Sequence, residues 1–242
     1  MAIGSVFCPV EHRGKGYAKQ LMKLLYQEFK QDSSIHTSTL YSDIGPHFYD
    51  RIGWKTMPSK EIIVSAQPSL PIPDNVRLIT SSDEIDAFAA KDIELIHAEL
   101  KNAKQPSFCV LPIAEKIHWI QRRAHFYFDK LSPWSITTLG AYIPETNNYV
   151  TFFYNYPEKS IYFLRMRSDN DQVTKAFLAV AQREALGYNF DKIIVWDSPA
   201  LDDSQLKQHV VQQREESISA LAVYNDVASE VTWLCNEKFA WV

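Results

Sequence analysis

The residues near the start of the chain best suited to chemistry are Arg13-Gly14-Lys15-Gly16-Tyr17-Ala18, a basic, glycine-punctuated turn between an apolar run and a helical pattern. The first turn of a helix leaves backbone N–H groups without intrahelical partners, and the aligned peptide dipoles add positive potential there. Glycine lets the main chain approach a bound anion, and Arg13 and Lys15 add charge, so the segment has parts suited to a diphosphate. A P-loop would need GxxxxGK[ST], which is absent. A dinucleotide fingerprint is half met by Gly14 and Gly16, but Lys19 stands where its third glycine belongs. On its own, the turn reads equally well as an ordinary solvated bend with a basic rim. Cys8 beside His12 invites a nucleophile reading, but no third orienting group is in view and simple packing is the plainer account.

The elements that must hold this turn follow from periodicity. Ala2 to Cys8 is a short apolar run read as a strand, and Tyr17 to Phe29 is helical, with Ala18, Leu21, Met22, Leu25 and Phe29 on one face. Thr37 to Ser42 fits a strand, Pro46 to Arg51 a short helix stopped at Gly53, and Lys60 to Ser65 a further strand. Pro68, Pro71 and Pro73 mark residues 67–74 as a linker, dividing the chain into a first unit (1–66) and a second (75–242). In the second unit Ser82 to Leu100 and Ile113 to Leu131 read as helices. Ile136 to Ile143, Asn148 to Tyr156 and Ser160 to Arg167 read as strands, with a turn at Pro157-Glu158-Lys159. Asp171 to Leu186 is an amphipathic helix ended at Gly187, and Lys192 to Trp196 is another strand. Strand, helix, strand here repeats the order of residues 2–42, a degenerate second copy. Its loop, Arg167 to Asp171, is acidic and lacks glycine, so it is not expected to hold a pyrophosphate.

Composition narrows the class. The chain has 242 residues, 46% hydrophobic and 22% charged, with a net charge of −4, which gives no reason to expect a nucleic-acid or anionic-membrane surface. No run of about 18 apolar residues and no basic-then-apolar leader is present, so neither a membrane span nor a signal peptide is expected, and the cytoplasm is the default. Cys8, Cys109 and Cys235 are far apart and odd in number, read as buried, reduced thiols. The histidines have no ligand spacing, so no metal is expected.

In context, the turn resembles the hallmark of the GNAT acetyltransferases, Arg/Gln-x-x-Gly-x-Gly/Ala, met by Arg13, Gly16 and Ala18. The phrase Phe48-Tyr49-Asp50-Arg51-Ile52-Gly53-Trp54 resembles the family's later "FY…GF". LYSDIGPHFYDRIGW (40–54), LPIAEKIHW (111–119), QREESISAL (213–221) and WLCNEKFAWV (233–242) together resemble the fungal lysine N-acetyltransferase (Lyc1) family over essentially the whole chain. The resemblance implies an α/β (α+β) fold: a GNAT-type mixed sheet followed by a degenerate GNAT-like half. It implies acetyl-CoA as co-substrate, with its pyrophosphate on Arg13 to Ala18 and its pantetheine arm along the backbone at Val6 and Phe7. It implies Tyr49 as general acid and the side-chain amine of free lysine as acceptor, a step in lysine catabolism. Glu11 and Asp43 are candidates for the base, and Glu215 and Glu216 for contacts with the substrate amine. GNAT domains place three strands and two helices before the motif strand, at which this chain begins. The expectation is therefore an N-terminally incomplete sheet, whose open edge is a route to a homodimer. The alternative function is a CoA-binding or interaction protein without turnover, or acetylation of another small amine.

Overall fold

The computed structural model describes residues 1–67, 71–197, 209–224 and 230–241. The chain opens with β1 (Ala2–Ile3), a single 3-10 turn at Val10–His12, α1 (Tyr17–Gln31), β2 (Thr37–Ser42), α2 (His47–Asp50), β3 (Lys55–Thr56) and β4 (Lys60–Ser65). It continues through β5 (Arg77–Ile79), α3 (Ser82–Lys101), β6 (Ser107–Cys109), α4 (Ala114–Leu131), β7 (Gly140–Tyr142), β8 (Tyr149–Asn155) and β9 (Ser160–Arg167). Then come α5 (Asp171–Gly187), β10 (Lys192–Trp196), β11 (Val210–Gln213), β12 (Ile218–Val223), β13 (Thr232–Leu234) and a 3-10 turn at Lys238–Ala240.

Among the described residues the strands form a small sheet ordered β1-β2-β12-β3, a large sheet ordered β11-β4-β10-β9-β8-β7-β5, and the parallel pair β13-β6. Each of the two main sheets contains a strand–helix–strand unit with parallel neighbours: β1 and β2 joined through α1, and β9 and β10 joined through α5. This is the repeat anticipated from the sequence.

The large sheet is covered on both sides, which is why β8 and β9 are buried along nearly their whole length instead of alternating. Phe177, Val180 and Ala181 of α5 pack on one face with Phe152, Phe163 and Val195. Ile117, Ile120 and Ala124 of α4 pack on the other with Phe153, Leu164 and Ile194. The small sheet is covered by α1 through Met22, Leu25 and Tyr26. Here the helix face is narrower than the periodicity suggested. Only Met22 is fully buried and Leu21 stays about half exposed, because only a short sheet lies beneath.

Two strands cross between the units. β4, the last strand of residues 1–66, pairs with β10 and β11 of the large sheet. β12, from far down the chain, inserts antiparallel between β2 and β3. The segment 214–217 that joins β11 to β12 therefore bridges the two sheets.

Three expectations need correction. The strand foreseen over Ala2 to Cys8 ends at Ile3: Ser5 adopts φ 56°, which breaks the extended path, and the chain peels away from β2. The strand foreseen over Ile136 to Ile143 is limited to Gly140–Tyr142, where β5 and β8 offer partners. The three cysteines carry free thiols but are partly exposed, not buried.

Candidate active site

The basic glycine turn is built as its residue types dictate. Pro9 starts the 3-10 turn, closed by His12 N–H to Pro9 O at 2.9 Å and Arg13 N–H to Val10 O at 3.1 Å. Gly14 and Gly16 take φ of +75° and +80°, a left-handed region costly for any residue with a Cβ, and the space beside both is open. Gly16 caps α1 with no side-chain hydrogen bond, so the first-turn amides at Tyr17, Ala18 and Lys19 have no acceptor among the described residues. Arg13 is steadied by its Nε–H to Cys8 O at 3.0 Å and lies 6.0 Å from the Phe7 ring, while Lys15 is exposed. The corresponding helix of the second unit differs at this point. Asn170 caps α5 with its side chain, accepting from the amides of Gln172 and Val173 at 3.0 and 3.1 Å. Its N-terminus is thus already satisfied from within the chain.

Because β1 stops pairing with β2 after Ile3 and Leu40, the two chains splay and leave a cleft. This cavity, about 380 Å³, is walled by Ile3 to Cys8 and Arg13 on one side and by Leu40, Tyr41, Asp43 and Ile44 on the other, with Ala18 near its mouth. Val6 and Phe7 thus line the cleft, but from irregular backbone and not from a strand.

Tyr49 reaches the same cavity from α2, whose helix–turn exit fixes it. The Tyr49 carbonyl accepts the amides of Ile52, Gly53 and Trp54 at 3.0 to 3.1 Å. Trp54 is fully buried, its Nε1–H bonded to Ser38 Oγ at 2.9 Å. At Gly53 a Cβ would fall 2.2 Å from the Tyr26 ring, so only glycine fits there. Burial, and then the nearby negative charge of Asp43, push the Tyr49 phenol above its ordinary pKa, and it keeps its proton at neutral pH.

A second cavity of about 530 Å³ lies where the two sheets meet. Asp43 and Trp241 line both cavities, so the two share a wall. The larger one carries the carboxylates Asp43, Glu61, Glu158, Glu215 and Glu216, the cations Arg123, Arg214 and Lys238, and the rings of Tyr162 and Trp196. Asp43 is held by the Ser217 amide at 2.9 Å. Of the carboxylates singled out from the sequence, Asp43, Glu215 and Glu216 are brought together here. Glu11 is exposed and lines neither cavity. Arg123, Trp196, Arg214 and Lys238 were not foreseen. Arg214 and Lys238 lie within the phrases 213–221 and 233–242, yet no local spacing sets them apart, because a bridge between sheets and a chain end bring them in.

Splayed parallel strands, an uncapped glycine turn opening on the cleft and an adjoining polar cavity define the GNAT class of fold. A GCN5-related N-acetyltransferase from Kribbella flavida has a TM-score of 0.58 at 17% identity, covering 92% of this chain and 51% of that one. Another, from Anabaena variabilis, has a TM-score of 0.57 at 15% identity, covering 93% and 55%. The chain belongs to the LYC1-like GNAT family: residues 61–242 match the LYC1 GNAT-like C-terminal domain, and residues 1–57 match the acetyltransferase (GNAT) domain. A lysine acetyltransferase of Yarrowia lipolytica is 37% identical over 71 residues, 22% of this chain and 18% of that protein. The chain spans about half the length of these solved structures and a smaller part of the curated relative.

Proposed function

We propose that the chain carries the acetyl-CoA site and acceptor site of an N-acetyltransferase that acetylates the side-chain amine of free L-lysine, a step in lysine breakdown, in the cytoplasm. The observation that carries this reading is the pair of cavities sharing Asp43 and Trp241, one beneath the anion turn and one lined with carboxylates. The turn fits a pyrophosphate: the amides from Gly14 to Lys19 donate to nothing among the described residues, and Arg13 and Lys15 flank them. Val6 and Phe7 would run beside the pantetheine arm.

Acetyl-CoA supplies a thioester whose carbonyl carbon the neutral amine attacks directly, forming C–N and breaking C–S. Asp43, at the shared wall, is placed to take the amine proton. Tyr49, protonated and lining the cleft, is placed to give a proton to the departing sulfur. Glu215 and Glu216, at the rim of the larger cavity, add negative potential that draws a cationic amine in. Free thiols at all three cysteines suit a reducing compartment, and no helix among the described residues is long and apolar enough to cross a membrane.

Incubating the protein with acetyl-CoA and L-lysine is expected to release free thiol and yield N6-acetyl-lysine, and absence of both across a panel of amines rejects the reading. Tyr49→Phe is expected to lower kcat about 100-fold while leaving the Kd for acetyl-CoA unchanged. An unaltered kcat removes Tyr49 from the chemistry.

The outer edge of β1 has no strand neighbour among the described residues and lies near exposed Phe7 and Val10. These features support self-association through that edge into a homodimer. Sedimentation equilibrium tests this, and a chain that stays monomeric up to its solubility limit excludes it.

A further inference from the structure

The larger cavity holds two buried cations that the acetyl-transfer chemistry does not use. Lys238 is only 8% exposed, and its ammonium has no hydrogen-bond or ion-pair partner among the described residues. It sits instead among rings, 4.1 Å from the Trp196 centroid, 4.3 Å from Trp241 and 5.1 Å from Tyr162. Arg214, 5% exposed, lies with Cζ 3.7 Å from the centroid of the Trp196 ring. Its Nη2 reaches Asp197 at 3.1 Å and Ser219 Oγ at 3.0 Å, but its Nε and Nη1 are buried without partners among the described residues. Arg123, exposed at the rim, has no carboxylate partner among the described residues and lies 5.5 Å from the Trp241 ring. Buried charge is costly unless compensated, and the compensation among the described residues is incomplete.

Position decides what would complete it. Asp43 and Trp241 line both cavities, whereas Lys238, Arg214 and Arg123 line only the larger. An acceptor whose reacting amine lies at Asp43 has the rest of its length in the larger cavity, where these cations lie. We propose that Lys238, backed by Arg214 and Arg123, is a receptor for a carboxylate on the acceptor, so that the site selects amines bearing a carboxylate at the end away from the reacting nitrogen. A single negative charge suits the cavity better than a phosphate dianion, because Glu61, Glu158, Glu215 and Glu216 already line it. Burial and then Arg214 lower the Lys238 pKa, with Glu158 and Asp43 opposing and Arg123 adding to the fall, to about 7. A bound carboxylate would restore the charge that this environment withholds. The proposal rests on the acetyltransferase reading for which end of the acceptor faces the cleft, and it deepens that reading by naming the residues that set specificity.

The test is calorimetric binding to the 242-residue chain of three probes that share a primary amine: L-lysine, 6-aminohexanoate and cadaverine. L-lysine and 6-aminohexanoate are expected to bind about 10- to 100-fold more tightly than cadaverine. Lys238→Met is expected to erase that difference by weakening the two carboxylates alone, and Lys238→Arg to keep part of it. Where Lys238→Met does not fold, Arg123→Gln at the exposed rim decides, with a smaller loss confined to the carboxylates. Equal binding of all three probes, binding of none, or a preference unchanged in every folded variant overturns the proposal. Carboxylate-selective binding without any acetyl transfer rejects the enzyme reading and leaves the receptor standing. Transfer to cadaverine with the kcat/KM of L-lysine does the reverse.

Discussion

Gly16→Glu is expected to abolish measurable acetyl-CoA binding, a loss of at least about 100-fold in affinity, or about 2.7 kcal/mol. Two effects add. At φ +80° any residue with a Cβ carries a penalty of about 1–2 kcal/mol, so the turn itself is biased away from the shape that opens the amides. The new carboxylate would also stand at the helix N-terminus, in the position a pyrophosphate needs, and be attracted there by the same dipole. Gly16→Ala separates the two, because open space around Gly16 leaves only the backbone penalty. The readout is the rise in melting midpoint that acetyl-CoA causes, since a ligand bound only by the native state must raise it. An undiminished rise in Gly16→Glu would remove the turn from the cofactor site and undo the functional reading with it.

The second large effect is on stability. Asp92, fully buried on α3, takes Arg165 Nε at 2.7 Å and Nη2 at 3.1 Å, Arg167 Nε at 2.6 Å and the Tyr149 hydroxyl at 2.8 Å. Arg165 also pairs with buried Glu237, whose other oxygen accepts the Met166 amide at 3.1 Å. Replacing Asp92 with Asn leaves Arg165 and Arg167 without their shared carboxylate, and Arg167 Nη2 already has no partner among the described residues. The expected cost is about 3–5 kcal/mol, measured by urea unfolding at pH 7. The pH dependence has a definite sign. Burial opposes ionisation of Asp92, but Arg165 and Arg167 outweigh it and hold the carboxyl below its ordinary 3.8. Its contribution is complete above that value and is lost as pH falls through the depressed folded value. Wild-type and Asp92→Asn stability curves should therefore converge below pH 3.8, and a gap that stays constant down to pH 2 contradicts this account. Glu237 directly precedes Lys238, so the same network seats the segment that brings Lys238 to the cavity.

What the sequence made legible was local. α1, β2, β4, α3, α4 and α5 lie within a residue or two of where periodicity put them, because each combines a clear apolar repeat with stop signals such as Gly187. The glycine turn proposed for the cofactor was visible because its residues are contiguous from Arg13 to Ala18. The larger cavity was not, because its walls come from Asp43 after β2, from β4, α4, β8, β9, β10, β11, the 214–217 bridge and residues 238–241, brought together by the exchange of β4 and β12 between sheets. Ser5 shows the opposite limit. A polar residue in an apolar run gave no hint of φ 56°, yet that angle peels the chain from β2 and opens the cleft. Arg214 likewise has no local spacing that sets it apart, and it is the bridge between sheets that buries it against Trp196.

The insertion of β12 beside β2 also sets the timing of folding during synthesis. Ser38 and Tyr224, which share a buried hydrogen bond at 2.7 Å, are 186 positions apart. At about 5–20 residues per second, β2 would wait many seconds on the ribosome before its sheet neighbour emerges. Until then its apolar flank is open to chaperones or to stray strands, and the wall of the cleft formed by Leu40 and Tyr41 lacks support. A nascent segment that ends before β12 would leave β2 without this neighbour and the cleft wall unsupported.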